Sequence, residues 1–89
     1  METNKLYKYR EIAGEYYLIP VGSAAKKNAA PIRLTETAAW IWKQIESDSF
    51  LSPELLAAKL ANEYEVDTVQ AQVSVNQFLF TLYNQGLLK

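Results

Sequence analysis

Apolar and polar side chains alternate along the first third of the chain, with the period of a β-strand that buries one face. The segment KLYKYREI places Tyr7 and Tyr9 on one face, and a second β-rich run, YYLIPV, follows the Gly14-Glu15 pair. A Gly-X pair suits the two-residue type II′ turn of a hairpin. The sequence therefore predicts a β-hairpin over residues 5–21.

A third extended segment follows at residues 29–34, after the small, polar and flexible stretch GSAAKKNAA. The run PIRL within it places Ile32 and Leu34 on one face. Because proline cannot donate a backbone hydrogen bond, Pro31 predicts that this third strand lies at a sheet edge. An exposed edge has to be covered, blunted or used for binding.

Beyond residue 34 the apolar positions recur every three to four residues, as in amphipathic helices. The predicted N-caps are Thr35 for a first helix, ETAAWIWKQIE, Ser52 before Pro53 for a second, and Asp67 for a third that runs to Gly86. The predicted buried positions are Ala38, Ile41, Trp42 and Ile45 in the first helix and Leu56, Ala57, Leu60 and Tyr64 in the second. We therefore expect an α+β fold, a winged helix-turn-helix with a three-stranded antiparallel sheet followed by three helices, in a single domain over residues 1–89.

The third predicted helix has more apolar positions than a surface helix needs for packing on a core. Projected at about 100° per residue, these positions form two clusters. The first is Val75, Phe78, Leu79 and Leu82, and the second is Val69, Val73 and Phe80, with Asn76 and Tyr83 at its margin. Either the helix is central and covered on all sides, or the second cluster lines a groove against the edge strand, where an extended peptide docks by strand addition.

The groove hypothesis gives a set of candidate peptide-binding residues on two elements. They are Pro31, Ile32, Arg33 and Leu34 on the strand, and Val69, Gln72, Val73, Asn76 and Phe80 on the helix. We expect Gln72 and Asn76 to orient the peptide through side-chain hydrogen bonds. The positive charges of Arg33 and the Lys26-Lys27 pair favour an acidic partner segment.

Composition removes most catalytic chemistry, because the chain contains no Cys and no His. The common zinc sites, thiol nucleophiles and His-centred triads are therefore excluded. Glu63, Glu65 and Asp67 lie together at a helix end and are more simply solvating and capping groups. We predict no enzyme activity, no catalytic residue, no metal site and no cofactor.

Charge and hydropathy further limit the classes of partner and the cellular location that the sequence allows. The formal net charge is −1, with six bases and three acids in residues 1–34 but three bases and seven acids in the remainder. The third predicted helix has no Lys or Arg, which disfavours a DNA-reading helix, so no nucleic-acid partner is expected although nucleic-acid binding is the nearest rival function. Neither an export signal nor a stretch of 18 apolar residues is present, which predicts a cytoplasmic location without membrane contact.

Two further expectations stay open on the sequence alone. A homo-oligomerising module is a third alternative, in which the edge strand or the second apolar cluster meets its own copy. Trp40 projects roughly opposite Ile41 and Trp42. It is either covered by the sheet and the third helix, which we favour, or part of a second contact site for a partner enzyme.

The order and spacing of several segments resemble those of a known family. These segments are Glu11 to Glu15, Leu34-Thr35-Glu36-Thr37-Ala38, Ile41-Trp42, Ser52-Pro53-Glu54-Leu55, Leu60, Tyr64, Val66, Gln72-Val73, and Phe78-Leu79-x-x-Leu82-x-x-x-Gly86-Leu87-Leu88. The pattern covers roughly residues 8–88 and is similar to that of the PqqD-like family, the RiPP recognition elements. Thr35 stands where relatives usually carry Asn, and Gln72 stands where they often carry Asp.

The resemblance implies a winged-helix domain that binds the leader segment of a ribosomally made precursor peptide. It places that leader as an extra strand beside residues 29–34, resting on the third helix. It also implies a peptide chaperone that presents the precursor to a modifying enzyme, often a radical S-adenosylmethionine enzyme. The chain lacks the three Cys that such an enzyme needs for its cluster, so the chemistry would come from the partner.

Overall fold

A three-stranded antiparallel sheet forms one side of the molecule, and the structure, a computed structural model, describes residues 1–88. Strands β1 (Tyr7–Ile12), β2 (Glu15–Pro20) and β3 (Ile32–Leu34) lie in the order β1-β2-β3. The predicted hairpin is confirmed, with Tyr9 opposite Leu18 in its register. Within residues 1–88 strand β3 pairs with β2 alone, so its predicted position at a sheet edge is confirmed.

The hairpin turn lies one residue earlier than the Gly14-Glu15 pair indicated. Ile12 pairs with Glu15, which leaves Ala13 and Gly14 as the two turn residues, with φ angles of 52° and 80°. Positive φ at both positions is the signature of a type I′ turn, whose twist matches that of the flanking strands. The predicted type II′ turn is therefore wrong, because Glu15 already belongs to the ladder.

The segment between β2 and β3 is more ordered than its composition suggested. Residues Gly22–Lys26 form a short helix, α1, with Ala24 buried. The third strand is also shorter than predicted, since it begins at Ile32 and leaves Pro31 just outside it. Proline therefore precedes the edge strand and does not interrupt its ladder.

Three longer helices follow the sheet: α2 (Glu36–Ser47), α3 (Pro53–Tyr64) and α4 (Thr68–Asn84). The predicted N-caps are confirmed by hydrogen bonds: the Thr35 hydroxyl accepts from the Ala38 N–H at 3.1 Å, the Ser52 hydroxyl from the Leu55 N–H at 3.1 Å, and the Asp67 carboxylate from the Val69 N–H at 2.9 Å. Such side-chain acceptors satisfy N–H groups that have no partner within the helix. The α+β class, with an antiparallel sheet followed by helices, is confirmed.

Helix α4 ends where Gly86 adopts a φ of 72°. The Gly86 N–H donates to the Tyr83 carbonyl at 3.1 Å and the Leu87 N–H donates to the Leu82 carbonyl at 2.8 Å. This pair of bonds is the Schellman motif, which favours glycine because residues with a Cβ are strained at positive φ. The reversal turns Leu87, which is fully buried, back into the core.

The core lies between the sheet and the three long helices. Its largest fully buried side chains include Trp42, Leu18, Ile41, Leu56 and Leu82. All four positions predicted to be buried on α2 are buried, as are Leu56, Ala57 and Leu60 on α3, while Tyr64 is half-buried. The N-terminal segment runs beside the end of the chain, where the Asn4 N–H donates to the Leu87 carbonyl at 2.8 Å.

Candidate functional site

Strand β3 is an open sheet edge, three residues long, beside helix α4. On one side it pairs with β2, Tyr16 lying opposite Leu34 and Leu18 opposite Ile32. On its other side no strand is paired within residues 1–88. An edge of this kind presents backbone N–H and C=O groups that are available to another extended chain.

A cavity of about 300 Å³ lies along the open side of β3. Its lining comprises Ile32, Arg33, Leu34, Thr35, Ala38, Phe78, Thr81, Leu82, Gln85 and Leu87. Leu34, Leu82 and Leu87 are buried at its floor, whereas Ile32 and Phe78 are half-buried and reach its surface. The edge strand and the helix therefore share one apolar depression.

The depression continues between the start of α2 and the middle of α4. A second cavity of about 380 Å³ shares Thr35, Ala38, Phe78 and Thr81 with the first and adds Thr37, Ile41, Ser74 and Gln77. Together the two cavities form what we call the β3–α4 groove. From Ser74 to Gln85 the helical rise gives a length of roughly 16 Å, which accommodates about five residues of an extended peptide.

The chemistry of the groove is an apolar floor with a rim of hydroxyl and amide groups. Ser74, Gln77 and Thr81 supply that rim on α4. Among the residues that the structure describes, Arg33 is the one charged side chain that lines either cavity. Its guanidinium forms a salt bridge with the carboxylate of Glu15 on β2. The pairing offsets the positive charge, so the groove attracts acidic segments less than the sequence suggested.

The β3–α4 groove is bordered by side chains that suit binding. Its rim groups are neutral hydroxyls and amides, which cannot act as an acid and base pair near neutral pH. No group of three or more His, Cys, Asp or Glu side chains suited to hold a metal occurs in the part of the chain that the structure describes. The arrangement is suited to binding an extended chain through an apolar floor and a polar edge.

The structure brings together only some of the residues that the sequence singled out. Ile32, Arg33 and Leu34 line the groove, and Pro31 directly precedes them. The helix residues of that set are Val69, Gln72, Val73, Asn76 and Phe80, and none of them lines a cavity along β3. The amide of Gln72 donates to that of Asn76 at 2.9 Å, so these two side chains are engaged with each other. Peptide contact by these five residues stays a prediction.

These five helix residues lie outside the groove because of the way α4 is oriented on the core. Ala71, Val75 and Leu82 are its buried residues, and they define a core-facing direction. Phe78, Thr81 and Gln85 lie on the flank of that direction which faces β3. At 100° per residue, Val69, Val73 and Phe80 lie roughly 140–180° from the core-facing direction, on the exposed side of the helix.

Sequence reasoning missed the helix residues that line the groove. The candidate set taken from the sequence contains none of Ser74, Gln77, Phe78 and Thr81. Phe78 packs against the core but is only half-buried, so it belongs to both surfaces. The available signal was the spacing of Ser74, Phe78, Thr81 and Gln85, which forms one stripe beside the buried positions.

A second cluster of aromatic residues lies where α2 meets the sheet and the end of α3. Trp40 is half-buried and packs edge-on against Tyr64 of α3, with ring centres 5.9 Å apart. Tyr9 stacks on Tyr16 at 6.4 Å, and the Lys43 ammonium lies 4.5 Å from the centre of the Tyr9 ring. Trp40 is therefore partly covered, although its direct partner is α3 and not the third predicted helix.

Burial raises the pKa of two of these tyrosines above the ordinary value of 10.0. For Tyr16, burial is the largest cause and the negative charge of Glu11 adds to it. For Tyr64, burial is again the largest cause and the charge of Glu36 adds to it. Both causes disfavour the phenolate, so the cluster is built around neutral phenols.

Hydropathy along the helices gives one further finding. None of the helices within residues 1–88 combines the length and the apolar character required to cross a bilayer.

Comparison with known proteins bears on the whole fold. The family model described as coenzyme PQQ synthesis protein D (PqqD) matches residues 26–88, which include β3 and all three long helices. The solved structure of TbiB1 in complex with the TbiA(beta) leader peptide matches with a TM-score of 0.77 and 21% sequence identity, covering 100% of this chain and 95% of that one. No curated protein matches the chain.

Proposed function

The chain belongs to the PqqD family, and we propose that it binds the leader segment of a ribosomally made precursor peptide. In this role it acts as a peptide chaperone and not as a catalyst. The observation that carries the proposal is the open edge of β3 beside an apolar groove on α4. TbiB1, which has the same fold, was solved with a leader peptide bound, and this supports the same class of ligand here.

The proposed mode of binding is strand addition. A leader segment that pairs with Ile32–Leu34 extends the sheet by one strand and gains main-chain hydrogen bonds. Successive side chains of a strand point to opposite faces, so alternate side chains of the leader enter the groove. The apolar floor at Leu34, Phe78 and Leu82 favours aliphatic or aromatic side chains at those alternate positions.

The proposed contact residues lie on both elements. On the strand they are Pro31, Ile32, Arg33 and Leu34. On α4 the geometry favours Ser74, Phe78 and Thr81, which line the groove. The alternative set on α4, predicted from the sequence, is Val69, Gln72, Val73, Asn76 and Phe80.

We propose that the modification itself is carried out by a partner enzyme. The chain has no Cys, so it cannot hold the iron–sulfur cluster of a radical S-adenosylmethionine enzyme. Such an enzyme is the partner that the family resemblance favours, with the leader held here and the remainder of the precursor presented to it. Because the precursor is made on ribosomes, the proposed meeting place is the cytoplasm.

An NMR titration tests the site and the function together. Synthetic leader segments, taken from short precursor reading frames beside the gene for this protein, are added to the labelled full chain. We expect shifts concentrated at residues 31–35 and on the face that contains Ser74, Phe78 and Thr81. The absence of binding by every leader would contradict the function, whereas shifts confined to Val69, Val73 and Phe80 would keep the function and overturn the groove.

A further inference from the structure

Helix α4 has an exposed apolar stripe on the side that faces away from the groove. Its members are Val69, Val73, Asn76, Phe80 and Tyr83, which we call the outer α4 stripe. The four apolar members are 70%, 45%, 69% and 68% exposed, in chain order. Large side chains exposed in one contiguous row mark an interaction surface more often than an ordinary solvated face.

The spacing of the stripe indicates what kind of partner fits. Its members are separated by four, three, four and three residues, which is the heptad spacing of a coiled-coil seam. A seam of this period keeps its contacts with another helix along its length, whereas an extended strand has a period of two. The occupant that fits this stripe is therefore a helix.

The charge distribution indicates which helix. Between Thr68 and Gln85 the chain has no charged residue, and the positions flanking the stripe are mostly amides: Gln70, Gln72, Gln77 and Asn84. A charged partner helix finds no opposite charge here, whereas two copies of this surface meet without like-charge repulsion. We propose that the outer α4 stripe is the interface of a homodimer, in which α4 pairs with the antiparallel α4 of a second copy.

A two-fold axis beside the segment between Val73 and Asn76 gives the register. It places Val69 opposite Phe80 of the partner subunit, and Val73 opposite Asn76 of the partner subunit. In such an isologous contact each pairing occurs twice, once on each side of the axis. A small valine then meets a large phenylalanine in both outer layers, and a polar asparagine near the axis helps to fix the register.

The available area predicts a weak, reversible dimer. The four apolar side chains together expose roughly 450 Å². For comparison, one large aromatic side chain buries about 150–250 Å² when it is fully covered. With the flanking amides, two copies together bury on the order of 1,200 Å², the lower end of the range for specific interfaces. The edge strand is a poorer site for self-association, because only three residues of it are available for pairing.

The dimer leaves the β3–α4 groove free. Gln77 lines one groove cavity and also borders the outer stripe, so the two surfaces meet at that side chain. Phe78, Leu82 and Gln85 lie on the far side of α4 from the stripe, so pairing along the stripe leaves the floor of the groove open. Each copy keeps its own open edge strand. This inference therefore does not depend on the leader-binding proposal, and the two can be tested separately.

Sedimentation of the full chain over a wide concentration range measures the association directly. We expect a reversible monomer–dimer equilibrium that Phe80→Glu weakens by more than about tenfold, because it removes an aromatic anchor and places two like charges in the interface. The matched control is Thr81→Glu, the next residue, which is exposed but faces the groove, and it leaves the equilibrium unchanged. Circular dichroism checks that both variants are folded.

Cysteine cross-linking tests the register, because the natural chain has no Cys. We expect Val69→Cys and Phe80→Cys chains, mixed and mildly oxidised, to cross-link with each other faster than either does with itself. Faster cross-linking of each variant with itself indicates parallel pairing and overturns the register. A chain that stays monomeric up to millimolar concentration, or a dimer that Thr81→Glu disrupts as strongly as Phe80→Glu, overturns the interface.

Discussion

Phe78 and Phe80 are two residues apart on the same helix and belong to different surfaces. Phe78 is half-buried, packs against the core and lines the β3–α4 groove, whereas Phe80 is 69% exposed and lines no cavity beside β3. A step of two residues turns a helix by about 200°, so the two rings project to opposite sides. One helix thus separates a proposed peptide site from a proposed self-association site.

Substitution at Thr81 distinguishes the groove from the outer stripe in leader binding. Thr81→Glu places a carboxylate on the groove rim beside an apolar floor, and we expect it to weaken leader affinity at least about tenfold. Fluorescence anisotropy with a labelled leader measures the change. Phe80→Glu is the control and leaves affinity within about twofold; the reverse pattern would assign the leader to the residues predicted from the sequence.

Two substitutions to aspartate on α4 distinguish a core position from a surface position. Val75 is fully buried, and Val75→Asp leaves a charge with no partner, a cost of several kcal/mol against the ~5–15 kcal/mol that holds a domain folded. Val73 is 45% exposed, and we expect Val73→Asp to lower the free energy of unfolding by about 1 kcal/mol or less. Urea denaturation measures both variants. Equal destabilisation would show that the outer stripe is part of the core.

Releasing Arg33 from Glu15 changes charge selectivity more than stability. The side chains of Arg33 and Glu15 are 68% and 44% exposed, so water screens the ion pair and Glu15→Gln changes the free energy of unfolding by less than about 1 kcal/mol. The freed guanidinium raises affinity for acidic leaders, most strongly at low salt. Glu11→Gln, on the far edge strand, is the charge-matched control. Equal gains in both variants would mean that net charge, and not Arg33, sets the preference.

The raised pKa values of Tyr16 and Tyr64 predict a loss of stability in alkali. An unfolded tyrosine ionises near pH 10, whereas burial keeps these two protonated to higher pH in the folded state. The folded chain then binds more protons than the unfolded chain, so the free energy of unfolding falls as pH rises past 10. Urea denaturation between about pH 8 and 11 measures the slope. A variant with Tyr16→Phe and Tyr64→Phe gives a shallower fall, and an unchanged slope would contradict this assignment.

Local patterns predicted most of the fold because their causes are local. Thr35, Ser52 and Asp67 cap three helices through bonds to residues two or three positions away. Gly86 ends α4 because only a residue without a Cβ adopts its φ angle without strain. Pro31 correctly placed β3 at an edge, although it stands one residue before the strand.

The segments that the sequence misplaced depend on contacts across the chain. The hairpin turn lies at Ala13 and Gly14, and not at Gly14 and Glu15, because the register of β1 with β2 pairs Ile12 with Glu15. Helix α1 has five residues, too few to be stable as an isolated helix, and it buries Ala24 against the rest of the chain. Neither outcome follows from the residues within the segment alone.

Two apolar clusters on α4 follow from the order of its residues, since helical periodicity can be calculated from the sequence. The side of α4 that faces the edge strand depends on tertiary packing, because α4 is oriented with Ala71, Val75 and Leu82 buried in the core. In this orientation Phe78 and Thr81 lie beside β3, whereas Val73 and Phe80 point away from it. Helical periodicity shows which residues share a face but not where that face points. Packing against the sheet and the other helices fixes which face lines the groove.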